Sequence, residues 1–192
     1  MTTASIVRDS ERPDDPSQKS LLRTQLLAQR RQLSAERKAA AEAALCAHLL
    51  AWFEAHRITS LGVYFPIRQE PDLYPLYNAL STKGVHLSLP IIRGADQPLD
   101  FVQWTPGDPL IKDALGTSVP ATGQQTQPQA LLIPCLGFNA QRIRLGYGGG
   151  FYDRTLAQQP RPVSIGVAYS EALTVFTGEA HDIALDLIFT GP

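Results

Sequence analysis

Cysteine is scarce in this chain: two among 192 residues, Cys46 in an Ala/Leu-rich stretch and Cys135 beside Pro134. A pair is too few for a disulfide framework and suits a reducing compartment, and both thiols are expected to be buried rather than reactive. No apolar run approaches the roughly 18–20 residues that a membrane span requires. The opening residues, MTTASIVRDSERPDDPSQ, lack the apolar core of a secretory signal. A cytoplasmic location without membrane attachment is therefore expected. Charge bias is missing too: 17 Lys and Arg against 18 Asp and Glu leave a net charge of −1. No global field draws such a chain to nucleic acid or to an anionic surface, and any anion it binds must be held by a local site. Small-molecule substrates and a monomer are expected. There is no internal repeat.

What is present suffices for a full core. With 44% hydrophobic and 18% charged residues over 192 positions, one domain needs no staples. Residues 1–17 are polar, proline-containing and aperiodic, so a disordered tail is expected there and one α/β domain over 18–192. From Ser17 onward Leu22, Leu26 and Leu33 recur at helical spacing, with Lys19, Arg23, Arg30 and Arg31 as the polar side. Ser34 is placed to cap a second helix that carries Glu36 in its first turn and ends near His56.

Beyond it the character alternates. Residues 58–65 (ITSLGVYF) read as a buried strand, 72–80 as a helix, 85–89 as a strand halted by Pro90, and 99–104 as another strand. Gly, Pro, Thr and Gln dominate 105–129, which reads as an extended surface connection. Residues 130–133 form a short apolar strand, 152–159 a helix, and 162–168 and 185–190 the last strands. Strand–helix alternation predicts an α/β fold with a mostly parallel sheet covered on both faces.

The densest chemistry lies in residues 144–153, RLGYGGGFYD. Gly148, Gly149 and Gly150 lack a β-carbon, so the backbone there can take left-handed conformations and aim amide N–H groups at one anion. A helix starting near Tyr152 would add its positive end. Arg144 before the glycines is a bidentate phosphate donor, and Asp153 after them is a hard oxygen ligand suited to Mg²⁺. A glycine run alone equally marks a flexible surface loop, but the flanking Tyr147, Phe151 and Tyr152 prefer to be packed. The segment is neither a Walker A loop nor a GxGxxG fingerprint. Arg30, Arg31, Arg37 and Lys38 make a local basic cluster, and without aromatic interleaving a solvated helix face is expected there rather than a nucleic-acid site.

The stretch LIPCLGFNAQRIRLGYGGGFYDRTL resembles the signature of the 5-formyltetrahydrofolate cyclo-ligase (methenyltetrahydrofolate synthetase) family. Lys19-x-x-x-Arg23, YFPIRQEPDLYPL from position 64 and AHDIALDLIFT from position 180 extend the resemblance in the family's order. It implies a three-layer α/β/α sandwich of Rossmann-like character and an enzyme using ATP and Mg²⁺. ATP would phosphorylate the formyl oxygen of 5-formyltetrahydrofolate, and the second folate nitrogen would close the ring, releasing ADP and phosphate. Carried over by position, Lys19, Arg23, Arg144, Leu145, Gly146, Tyr147, Gly148, Gly149, Gly150, Phe151 and Tyr152 would contact ATP. Lys19, Arg144 and Tyr152 are the catalytic candidates, Phe65 and Glu70 would touch the reduced formyl-folate, and Asp153 and Asp182 would hold Mg²⁺. The alternative is an ATP-dependent enzyme on the same scaffold with a different acceptor. One departure is specific: Arg142 stands where the family usually has a turn glycine, so a positive φ there would strain it.

Overall fold

The computed structural model describes residues 16–113 and 116–191. Of the tail expected at 1–17, residues 1–15 lie outside the described residues, and α1 (Pro16–Gln32) begins with the last two. Ser34 caps α2 (Ala35–His56) by accepting the N–H of Arg37 at 3.2 Å, and α2 buries Ala41, Leu45, Leu49 and Phe53 at four-residue spacing.

The central sheet has seven strands in the order β11-β10-β7-β1-β2-β3-β6: β1 (Ser60–Gly62), β2 (His86–Ile91), β3 (Asp100–Gln103), β6 (Gln125–Thr126), β7 (Ala130–Pro134), β10 (Val163–Tyr169) and β11 (Leu187–Gly191). The first five of these in spatial order pair in parallel, and β3 and β6 add an antiparallel edge. Central strand β7 is buried at every position. Period two divides its side chains: Ala130 and Leu132 join Leu45, Leu49 and Phe53 of α2 with Leu76, Tyr77 and Leu80 of α3 (Tyr74–Thr82), whereas Leu131 and Ile133 face Leu156 of α4 (Phe151–Leu156) and Leu185. The result is the three-layer α/β/α arrangement. Among the described residues no helix is long and apolar enough to cross a membrane.

Several local expectations are corrected. The stretch 105–129 is not merely a connection, since it holds the hairpin β4 (Leu110–Lys112) and β5 (Ser118–Pro120) and the edge strand β6. Pro90 does not halt β2, which runs on and pairs Pro90 with Phe101 of β3. On its other side β1 reaches only Ser88, so the missing N–H of Pro90 leaves no ladder bond unmade there. The first strand is shorter than 58–65, and α4 stops at Leu156 instead of continuing to residue 159. Both thiols are free: Cys135 is buried, and burial pushes it up to about 11, whereas Cys46 is only half-buried, against the expectation for it.

The turn at Arg142 keeps the geometry of a glycine. It joins β8 (Gly137–Phe138) to β9 (Arg144–Leu145), and Arg142 sits at φ 61°. Asn139 Oδ1 accepts from the N–H groups of Gln141 (3.1 Å) and Ile143 (2.9 Å), and the Arg142 carbonyl accepts from Leu185 N–H at 3.0 Å. These bonds hold a left-handed side-chain-bearing residue at a cost of roughly 1–2 kcal/mol, part of which glycine's unfolded-state freedom, roughly 0.5–1 kcal/mol, would offset. Arg142→Gly is therefore expected to raise the thermal midpoint by about 1–3 °C, and a lower midpoint on thermal denaturation would show that the arginine is favourably placed.

Candidate active site

Two loops that leave carboxyl ends of parallel strands converge, the one after β1 and the one after β7, as expected for ligand sites in open α/β sheets. Between them lies a cleft of about 360 Å³. Tyr64, Phe65, Ile67, Arg68 and Glu70 form one wall; Arg144, Tyr147, Gly149, Gly150, Phe151 and Tyr152 form the other. Pro90, Ile92, Leu99 and Pro134 add apolar surface. Thr117 and Ser118, from the β4–β5 hairpin and its turn, complete the lining. The cleft is thus mostly aromatic and aliphatic, with Glu70, Arg68 and Arg144 as its charges.

Within the glycine segment the structure distinguishes roles. Leu145 turns its side chain into a small core with Leu26, Leu136 and Phe176, so only its backbone could meet a ligand. A β-carbon on Gly146 would collide with the Arg144 guanidinium, which folds back against it. Gly148 and Gly150 take φ 97° and 63°, conformations that glycine adopts at no steric cost. The helix after them has only six residues, so its dipole adds little.

Arg144 packs between Tyr152, whose ring centroid is 5.0 Å away, and Asp153, at 3.6 Å from Nη2 to Oδ2. Asp153 Oδ1 also accepts the N–H of Ile183 at 3.3 Å, which sets it beside the backbone next to Asp182. Asp182 in turn accepts from Lys19 Nζ at 3.0 Å, and Lys19 meets Glu179 at 2.7 Å. Burial works against the Lys19 charge, but hydrogen bonds to Glu179 and Asp182 and their charges outweigh it and leave its pKa raised. Arg23, one turn along α1, donates to the carbonyl of Gly146 at 2.9 Å and lies against Gly148. Glu179 was not recognisable as a partner from sequence.

Asp153 and Asp182 are the hard oxygen donors here, both mostly buried. Among the described residues no three His, Cys, Asp or Glu side chains gather into a metal cage. That donor set fits an ion such as Mg²⁺, which keeps waters and substrate oxygens among its ligands, and does not fit a closed structural zinc site.

Glu70 is buried at 4% exposure. Its Oε2 accepts from Ile67 N–H at 3.0 Å and its Oε1 from the Tyr147 hydroxyl at 2.9 Å. Burial pushes its carboxyl above the usual carboxylate range, opposed by those two donors and by the charges of Arg30 and Arg144. Burial likewise raises the Tyr147 and Tyr152 hydroxyls, so both remain protonated phenols.

One expectation is overturned outright. Arg30 is not part of a solvated basic face: it is 5% exposed, donating from Nη1 to Tyr147 Oη at 3.0 Å and from Nη2 to the Cys135 carbonyl at 2.7 Å. The signal was its spacing, since position 30 falls four after Leu26 and eight after Leu22. Of the rest of that cluster, Arg31 is exposed, while Arg37 pairs with Glu171 and Lys38 with Gln69 at the surface.

A mostly parallel sheet covered by helices, a largely apolar cleft at its carboxyl edge and a cation-flanked glycine loop define an α/β protein of the open-sheet class with its cleft at the strand ends. Residues 15–191 match the model of the 5-formyltetrahydrofolate cyclo-ligase family. The 5-formyltetrahydrofolate cyclo-ligase of Mycolicibacterium smegmatis is 33% identical over 189 residues, covering 91% of this chain and 94% of that one. Among solved structures, a 5,10-methenyltetrahydrofolate synthetase from Mycoplasma pneumoniae superposes with a TM-score of 0.75 at 26% identity over 88% of this chain and 96% of its own. The Aquifex aeolicus 5,10-methenyltetrahydrofolate synthetase does so with 0.77 at 29% over 90% and 89%. The chain belongs to the 5-formyltetrahydrofolate cyclo-ligase family.

Proposed function

We propose that this protein converts 5-formyltetrahydrofolate to 5,10-methenyltetrahydrofolate with ATP and Mg²⁺, releasing ADP and phosphate. The observation that carries the proposal is the convergence on one cleft of Glu70 and Phe65 from the β1 loop with Arg144, Tyr147 and Tyr152 from the glycine segment. An acceptor wall and a phosphate wall face each other.

An N-formyl amide is a poor electrophile. Attack of its oxygen on the γ-phosphorus, with ADP leaving, gives an O-phosphorylated carbon that the second folate nitrogen attacks; phosphate then departs as the ring closes. No covalent protein nucleophile is needed, so positioning and charge neutralisation are the protein's work. Arg144 is held by Tyr152 and Asp153 with its guanidinium already ordered, so little entropy is lost when it grips a phosphate oxygen. Arg23 and the amides of Gly146 to Gly150 would hold the remaining phosphates, and Lys19 would release its carboxylates as phosphate charge arrives. Asp153 and Asp182 would hold Mg²⁺, which neutralises charge on the phosphates when bound. Phe65, Phe151 and Tyr152 offer the flat apolar surface that a pterin ring needs, and Glu70 a carboxylate for its N–H donors.

The test is absorbance in the methenyl-folate band on mixing purified protein, 5-formyltetrahydrofolate, ATP and Mg²⁺, with controls omitting each. A rise that needs all four is expected. ATP binding by calorimetry with no rise would point instead to a different acceptor on the same scaffold, and neither signal would remove the phosphate role of the glycine loop.

A further inference from the structure

Helix α1 presents Lys19, Arg23, Leu26 and Arg30 at spacings of four, three and four, a single stripe facing the glycine segment and the end of β7. The first two cations reach the phosphate side. Arg30 does something different. Among the described residues no carboxylate lies within ion-pair distance of it, and its hydrogen-bond partners are a phenol and a carbonyl. Burying a guanidinium against neutral groups is costly, and a Met or Leu would fill a purely structural position at less cost.

The chemistry of the donors gives the bond directions. Guanidinium has no acceptor, so the Tyr147 oxygen must accept from Arg30. The single Tyr147 proton is then directed to Glu70 Oε1, 2.9 Å away. Ile67 N–H donates to the other carboxyl oxygen. The chain Arg30 → Tyr147 → Glu70 runs one way and ends on an acceptor in the cleft.

We propose that Arg30 is a positioning residue of the folate half of the site, acting through Tyr147 to present Glu70 as an oriented, acceptor-only carboxylate to the N–H donors of the substrate. The inference rests on the cyclo-ligase reading above. It also makes α1 a shared strut, with nucleotide contacts at its first turns and the folate acid supported from its last. The charged and titratable groups around Glu70 are Arg30 from α1, Arg144 from β9, Tyr147 from the glycine segment, Tyr152 from α4, Tyr64 after β1, Cys135 after β7 and Arg68 of the β1 loop, 4.8 Å from the Tyr147 ring centroid. The phenols and the thiol stay neutral in the working range. Arg30, Arg68 and Arg144 are the cationic charges, and of these only Arg30 is tied to Glu70 by a hydrogen-bonded path.

Steady-state kinetics across about pH 5.5 to 8.5 on wild type, Arg30→Met, Arg30→Lys, Tyr147→Phe and the Arg30→Met/Tyr147→Phe double variant tests this, with thermal melts to verify folding. Arg30→Met is expected to raise KM for 5-formyltetrahydrofolate about tenfold with KM for ATP within about twofold, and to move the acid limb of kcat/KM for the folate upward by about half a pH unit or more. Arg30→Lys should restore most of that limb, and the double variant should be little worse than Tyr147→Phe alone. Equal effects on both substrates, an unmoved acid limb or additive losses would overturn the proposal. If Arg30→Met does not fold, an unshifted limb in Tyr147→Phe overturns it by itself. Absence of wild-type turnover would instead remove the cyclo-ligase reading, and this inference with it.

Discussion

Asp153→Asn is expected to leave the fold standing and to lower magnesium-dependent turnover by about a hundredfold or more. Asparagine keeps a carbonyl oxygen for the Ile183 N–H, so the link between α4 and the 182–185 segment survives. It loses the negative charge that faces Arg144 Nη2 across 3.6 Å and the anionic oxygen that a hard cation prefers. On the proposed assignment two effects then add: the ion would lose one of two protein carboxylates, and Arg144 loses the carboxylate beside it. Among the described residues no three His, Cys, Asp or Glu side chains are arranged to hold an ion together, and the nearby Glu179 is engaged by Lys19, so nothing in place substitutes for the missing oxygen. Magnesium titration at saturating ATP checks the point. Turnover that returns to the wild-type level at high Mg²⁺ would mean that Asp153 tunes affinity only, and turnover unchanged throughout would remove it as a ligand.

Glu70→Gln should act on the other substrate, lowering kcat/KM for 5-formyltetrahydrofolate about a hundredfold while the ATP KM stays within about twofold. A buried amide offers one acceptor oxygen where the carboxylate has two, and its NH₂ group confronts the Tyr147 proton that now points at Oε1. Stability should move differently. The Glu70 carboxyl is raised above its ordinary value of 4.5 by burial. Its contribution to stability is therefore full below pH 4.5 and is lost as pH rises through the folded value. Glutamine never ionises, so the variant's unfolding free energy should fall less than wild type's across that window. A variant that loses stability as steeply as wild type with rising pH, or that shifts the ATP KM instead, would contradict this division of the site.

Legibility from sequence followed the range of the forces involved. Ser34 capping α2, the buried β7 between residues 130 and 134, and the parallel strands β10 and β11 are local patterns of side-chain size, polarity and period, and the structure agrees with them. The β4–β5 hairpin and β6 escaped notice because their strands are only two or three residues long, too short for a period to show; their pairing makes them strands. That hairpin supplies Thr117 and Ser118 to the cleft, so the cleft's outline was equally hidden. Arg142 was legible as a point of strain, and its φ of 61° shows the turn kept in spite of the side chain.

Residue types and spacing alone determined that this chain carries an α/β core, a glycine loop between an arginine and an aspartate, and a net charge of −1. These properties depend on neighbours in the chain, on summed charge and on which residues lack a β-carbon. Only the tertiary structure decided that Arg30 leaves the solvent to direct Tyr147 at Glu70, that Lys19 rests on Asp182 and Glu179, and that Arg144 stands between Tyr152 and Asp153. Arg30 and Tyr147, 117 residues apart, and Lys19 and Asp182, 163 apart, meet because the fold lays α1 across the strand ends, and no local pattern records which partners will meet.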